Sequence, residues 1–542
     1  MLFGRAAVVS CCIATVISSP IQDRKKAHST SLVDLGYAKY QGTLLSSGIT
    51  QYLGMRYASP PLGDLRFRAP QPPQSSSGVQ DAQSFGPICL ATNNGPTSSQ
   101  SEDCLFVNVW APSNATLASK LPVWVFIQGG GYISNSNANF NGSTVVKTSN
   151  HGIVFVNFNY RVGAFGFLTS EKVRQDGDLN VGLLDQRFLL HWVQDHIIQF
   201  GGDPDHVVIH GDSAGAGSVA LHLTAYGGRN DNLFVGAIGE SPFFPTQPAA
   251  SELEWQFDRF ANAAGCGSAG DPLACLRSQS TAALQAANVA SPYPAQAGSP
   301  LFYWTPTIDG TFIPDYPYTL FDQGLFVDVP IIFGDDTDEG SVFAPNASSP
   351  TDISTFFQNN YPYLTPADTA TINNQYPLQP PLPNHSPYFP SASAAYGEAT
   401  FVCPAIMIST ALSLSSPTWH YRYNVHDTHN LASGLGVPHV SELPAIFGPG
   451  NANDGTTSYT TYNAAIVPVV MKYWISFVRN LDPNPGRDGS APRWLDMGRA
   501  SAAGGTLRRL LLQTGGTVME GFPDDLLARC YFWKALALKM EQ

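Results

Sequence analysis

Gly211-Asp212-Ser213-Ala214-Gly215 sets one serine among small neighbours, directly after the apolar run Val207-Val208-Ile209. Past Gly217, Val219-Ala220-Leu221 resumes apolar residues of helical character. The setting is strand, tight turn, helix. A Gly-x-Ser-x-Gly turn in that setting is so sharp that the flanking residues must be small, and the serine oxygen stands clear above the sheet. The pattern alone is short and recurs in unrelated chains; the strand–turn–helix context gives it chemical meaning. Ser213 is the candidate nucleophile. The N–H of Ala214 opens the following helix, where free amides and the helix dipole favour developing negative charge.

A nucleophilic serine also needs oxyanion donors, a base, and an acid to orient the base. Gln128-Gly129-Gly130-Gly131 follows the apolar run ending at Ile127, with spacing that fits neither GxGxxG nor a P-loop. Glycines let N–H groups point into a cavity unobstructed, so Gly130, Gly131 and Ala214 are the expected donors. For the acid, Asp335-Asp336-Thr337-Asp338-Glu339-Gly340-Ser341 offers four carboxylates, and chemistry alone does not choose among them. Twelve histidines compete for the base. His420, His426 and His429 cluster, but without Cys or a ligand motif they read as strand-edge and loop residues rather than a metal site.

The elements that must position these groups follow from periodicity. Val123 to Ile127 is a continuous apolar run and Ile153 to Phe158 is apolar except for Asn157; both suit buried parallel strands. Leu183 to Phe200 carries Leu184, Phe188, Leu189, Trp192, Val193 and Ile197 at helical spacing. Strand, helix, strand, helix in that order predicts an α/β sheet with crossover helices. The proline-rich stretch from Tyr376 to Pro390 reads as a surface excursion, and no internal repeat is visible.

Composition narrows the setting. A hydrophobic fraction of 43% supports a large core, and the net charge of −13 lacks any basic block able to track a phosphate backbone, so nucleic acid is not an expected partner. Residues 1–19 read as a secretory leader: Arg5 begins it, Ala6 to Ile17 is apolar, and Ser18-Ser19 are small. No other apolar segment reads as approaching spanning length, so stable membrane insertion is not expected. Cys11 and Cys12 would leave with the leader, and an even set remains: Cys89, Cys104, Cys266, Cys275, Cys403 and Cys530. In an exported chain such a set implies disulfides. Asn114, Asn141, Asn346 and Asn384 begin glycosylation triplets.

The motifs together resemble the type-B carboxylesterase/lipase family. Gly54 to Pro61 (GMRYASPP), Glu102 to Trp110 (EDCLFVNVW), Asn159 to Gly163 (NYRVG), Gly182 to Arg187 (GLLDQR) and Phe200 to Gly215 (FGGDPDHVVIHGDSAG) carry the likeness. It spans nearly the whole exported chain. Length alone suggests three or four domains; the resemblance instead implies one large domain, residues 20–542, with the α/β-hydrolase fold, a mostly parallel central sheet flanked by helices. It selects Glu339 as the acid and, through LGVPHVSELPAIFG at Leu435 to Gly448, His439 as the base. It implies ion pairs Arg66–Glu102 and Arg161–Asp185, and disulfides Cys89–Cys104, Cys266–Cys275 and Cys403–Cys530. Two departures stand out: Asp212 where many members carry Glu, and Gln128 where a His or aromatic residue is common.

The implied chemistry is acyl transfer through a serine ester on a small-molecule ester substrate, with neither cofactor nor metal. Oligomeric state is not legible. Leu90 to Asp103 holds no aromatic residue that would bind a quaternary ammonium, so a choline ester is not the expected substrate. Phe302, Tyr303 and Phe343, with Phe243 and Phe244 more loosely, fall near the family's acyl pocket. The same loop, LATNNGPTSSQSED, is where fungal lipases of this family carry a lid helix; Gly95 and Pro96 would break such a helix. An open cleft acting on soluble short-to-medium acyl esters is therefore expected. The alternatives are an interfacially activated lipase for triacylglycerols or sterol esters, and an inactive neuroligin-like binding protein. The last would be expected to lack the nucleophile, which is present here.

Overall fold

The computed structural model describes residues 31–542 apart from 96, 137, 453–456 and 499–506. The expected leader, residues 1–19, lies outside the described residues, as does Pro96.

Eleven strands form one sheet. In chain order they are β1 (Thr43–Leu44), β2 (Ile49–Arg56), β3 (Phe106–Pro112), β4 (Leu121–Ile127), β5 (Val154–Phe158), β6 (Gly202–Asp212), β7 (Gly236–Glu240), β8 (Ile331–Asp336), β9 (Thr418–Tyr423), β10 (Arg508–Leu512) and β11 (Val518–Gly521). Across the sheet they run β1-β2-β3-β5-β4-β6-β7-β8-β9-β10-β11. Every pairing from β5 to β10 is parallel, and the pairings outside that span are antiparallel.

The continuous apolar runs follow from burial on both faces. Val123, Val125 and Ile127 of β4 face one side with Val207 and Ile209 of β6. Helices α1 (Val181–His196), α2 (Ala214–Gly228) and α3 (Cys403–Leu412) help cover that side. Trp124, Phe126 and Val208 point the other way, into a cluster with α4 (Ile466–Asn480). Burying each such side chain contributes about 1.5–3 kcal/mol.

Two outcomes differ from the sequence reading. The strand seen as Val207–Ile209 is the middle of an eleven-residue strand. In addition, Phe389–Leu412 forms a continuous helical run long and apolar enough to span a membrane by length and composition. Its most apolar window is 78% buried in the protein, so this is core packing. Residues 377–384 are exposed, and this stretch of the proline-rich segment runs over the surface.

The structure joins Cys89 to Cys104, Cys266 to Cys275 and Cys403 to Cys530. Arg66 holds Glu102 in a two-pronged contact (Nε–Oε1 2.5 Å, Nη2–Oε2 2.8 Å), and Arg161 holds Asp185 likewise at 2.7 Å through both prongs. All four side chains are buried, where removing one partner costs about 3–5 kcal/mol.

Candidate active site

Ser213 turns the chain from β6 into α2 with φ 54° and ψ −122°, a conformation disfavoured for any residue with a Cβ. Its surroundings enforce the turn. The N–H of Ser213 donates to the Glu240 carbonyl (2.8 Å), and the Ser213 carbonyl accepts from Gly217 (2.9 Å) and Phe243 (3.1 Å). A Cβ on Gly211 would strike the Gly215 backbone, and one on Gly215 would strike the Ile127 carbonyl. The small neighbours of Ser213 are thus a steric requirement of β6, β4 and the turn meeting closely.

The glycine loop after β4 reaches the same place. The Gly129 N–H donates to Asp212 Oδ1 at 2.9 Å, tying the loop to the residue before Ser213. Gly130 (φ 115°) and Gly131 (φ 61°) adopt backbone that favours glycine. Among the described residues, the N–H groups of Gly130, Gly131 and Ala214 donate no hydrogen bond. Gln128 points away: its amide donates to the Phe158 carbonyl and to Asn159 Oδ1, both at 3.0 Å. Burial raises the Asp212 carboxyl to about 7, against the opposing pull of His439 and the Gly129 N–H.

The acidic turn sorts into separate tasks. Glu339, 1% exposed, accepts the Asp336 N–H on Oε1 (2.7 Å), and its Oε2 meets His439 Nδ1 at 2.5 Å. Asp338 accepts the Val437 N–H (2.8 Å) and so braces the histidine loop. Asp336 accepts the Ser441 N–H (3.1 Å). Asp335 faces His420 Nε2 (3.2 Å) and Arg509 (3.7 Å). His439 Nε2 is buried and has no hydrogen-bond partner among the described residues. β6, β7 and β8 run parallel and end together, with Asp212 opposite Glu240 and Glu240 opposite Gly334. Their carboxyl ends place Ser213, the Glu339 turn and the His439 loop on one rim.

A second Ser-His-Asp set lies in the core: Ser409 Oγ to His420 Nδ1 is 2.9 Å, and His420 Nε2 reaches Asp335. Ser409 and His420 are fully buried and burial holds the imidazole below its ordinary value, so no substrate reaches this set. His426 and His429 are exposed, and the described residues hold no group of three potential metal ligands.

Four phenylalanines wall the space beside His439. Phe243 lies 4.6 Å from Phe302, Phe302 5.9 Å from Phe343, Phe343 5.4 Å from Phe401, and Phe401 5.6 Å from Phe243. Phe401 and Phe343 touch the imidazole at 4.3 and 5.0 Å. Phe401 was not found from sequence; it sits in a one-turn π-helix, Glu398–Val402, which no residue pattern announces. Tyr303 packs on Trp304 and Trp255, and Phe244 on Tyr318, outside this ring.

The chain is similar to known proteins in both sequence and fold. The sequence profile of the Carboxylesterase family matches residues 29–509. "Lipase 2" of Geotrichum candidum is 35% identical over 502 residues, 82% of this chain and 86% of that protein. "Secreted lipase 1" of Botryotinia fuckeliana is 31% identical over 550 residues, 93% and 92% of the two chains. The crystal structure of Aspergillus niger EstA superposes with a TM-score of 0.92 at 54% identity, covering 95% of this chain and 99% of that one. Fold and sequence together place the protein in the α/β-hydrolase fold, and the chain belongs to the carboxylesterase family.

Proposed function

We propose that this protein is a secreted serine carboxylesterase that cleaves soluble short-to-medium acyl esters through an acyl-enzyme on Ser213. The observation that carries the proposal is the Glu339–His439 hydrogen bond on the same sheet rim as the strained Ser213 turn. His439 takes the Ser213 proton as the oxygen attacks the ester carbonyl, and Glu339 orients and stabilises the imidazolium. The oxyanion settles on the free N–H groups of Gly130, Gly131 and Ala214. His439 then protonates the departing alcohol, and water repeats the sequence to release the acid.

Two features support the substrate class. The phenylalanine ring closes the acyl side beside His439. The loop Leu90–Asp103 has no helix among its described residues and is tied down. Gln285 donates to the carbonyls of Ala91 and Asn94 (2.7 Å each), and the Thr92 N–H donates to Ile133 (2.9 Å). Leu90 and Ala91 are already buried, which leaves little apolar surface for a lid.

Export is supported by the three disulfides and by a relative named a secreted lipase; the leader at 1–19 belongs to the same proposal. Asn114, Asn346 and Asn384 are exposed and Asn141 is half-buried, which orders them as glycan acceptors.

The lipase names of the relatives favour a second reading, interfacial triacylglycerol hydrolysis. Rates on p-nitrophenyl esters of graded chain length, and on tributyrin across its solubility limit, separate the two. The carboxylesterase reading expects highest kcat/KM on short-to-medium chains and plain saturation with tributyrin. A sharp rate increase at the onset of emulsion overturns it in favour of the lipase.

A further inference from the structure

Beneath the rim lie four fully buried carboxyls that the mechanism above does not use: Asp212, Glu240, Asp336 and Glu442. With Glu339 they make five. The groups facing them are His210 from β6, Tyr421 and Tyr423 from β9, Trp474 from α4, Tyr160 beside Asp212, His439 from its own loop, and Tyr459. Glu240 meets His210 and Glu339 meets His439; among the described residues no Lys or Arg forms an ion pair with any of the five. So many carboxyls with so little positive charge cannot all be ionised in a dry interior.

Asp336 and Glu442 show where a proton must reside. Asp336 Oδ2 accepts the Ser441 N–H, and Glu442 Oε1 accepts the Tyr421 hydroxyl at 2.7 Å. Asp336 Oδ1 and Glu442 Oε2 are buried with no donor among the described residues, while the two carboxyls lie within hydrogen-bonding reach of each other. Ionised carboxylates only accept, so contact between them needs a hydrogen on one. The connection matters because of what each end holds. The Asp336 N–H supports Glu339, three residues on, and Glu442 follows His439 by three.

We propose that Asp336 and Glu442 share one proton, and that the resulting O–H···O bond locks the turn carrying Glu339 to the loop carrying His439. Asp336 is then a positioning residue, an assignment that rests on the Ser213–His439–Glu339 reading. Burial and the facing Glu442 and Glu339 charges push the Asp336 carboxyl well above the usual carboxylate range, and burial raises Glu442 as well. A raised acid stabilises the fold at low pH, and that contribution is lost as pH climbs from the unfolded value through the folded one.

The test compares Asp336→Asn, Asp336→Leu and Glu442→Gln. Asparagine keeps the acceptor for Ser441 and supplies a permanent N–H to Glu442. It is expected to hold kcat within about threefold of wild type near neutrality, whereas leucine lowers kcat by about tenfold or more at similar KM. Relative to Asp336→Asn, the wild-type unfolding constant should rise about tenfold per pH unit across the window between the unfolded and folded values. If the leucine variant does not fold, Glu442→Gln, which donates from the other side, must match Asp336→Asn. Equal losses in all three variants, or parallel pH curves for wild type and Asp336→Asn, overturn the shared proton. A fluorophosphonate probe run on each variant keeps the ideas apart: labelling away from Ser213 refutes the triad, whereas labelling at Ser213 with parallel curves refutes the shared proton alone.

Discussion

Gly131→Ala tests the proposed oxyanion site at the position where the structure gives the clearest magnitude. Gly131 has φ 61°, and an alanine there costs about 1–2 kcal/mol in backbone strain. Its new Cβ would also overlap Cδ1 and Cε1 of Phe302, so either the ring or the glycine loop must shift. A loop shift withdraws the Gly131 N–H from the oxyanion, and losing one such donor lowers kcat by about 10²–10³. The expected result is a fall of that size in kcat on p-nitrophenyl acetate, with KM changed far less and a modest loss of stability. Adding Phe302→Ala removes the overlap and is expected to restore kcat by about tenfold, leaving the strain of the positive φ. Wild-type kcat in Gly131→Ala would refute the reasoning, because it would mean that this amide does not face the reacting oxygen.

Three further outcomes follow from the same geometry. Replacing Cys403 and Cys530 by serine opens a loop with a sequence separation of 127 and should cost about 5 kcal/mol by chain entropy, read as a lower guanidinium midpoint. Phe343→Ala should raise kcat/KM for longer acyl chains relative to acetate, since it opens the ring beside His439; an unchanged chain-length profile would contradict that wall assignment. Asp212, raised to about 7 by burial, loses its stabilising contribution as pH rises from about 4 through 7. Asp212→Asn should therefore flatten the decline in unfolding free energy over that window by about 1.4 kcal/mol per pH unit, measured by denaturant titration.

The sequence was most legible where sterics or burial leave little choice. Gly211 and Gly215 must be glycine for β4, β6 and the turn to meet, and β4 and β5 are apolar, save for Asn157, because helices cover both faces. The entry half of β6, from Gly202 to His206, was missed because its residues are mostly polar and partly exposed, so no apolar signal extends there. Chemistry alone did not separate Glu339 from Asp335, Asp336 and Asp338, and the structure explains why. All four are at work, three of them holding His420, Ser441 and Val437. The Phe389–Leu412 run escaped notice since Ser391 to Gly397 is made largely of small residues, and Phe401 depends on a π-turn set by tertiary packing. Tyr303 and Phe244 had the right type and neighbourhood; only the fold shows that they pack elsewhere.

The central claim is that Ser213 forms the covalent intermediate. Its most direct test is peptide mapping by mass spectrometry after reaction with a fluorophosphonate. The expected result is one adduct per chain, on the peptide containing Ser213, with ester hydrolysis lost in step with labelling, and neither adduct nor activity in Ser213→Ala, whose kcat should fall by about 10⁶. An adduct on another serine, or Ser213→Ala protein that still labels and still hydrolyses esters, would contradict it.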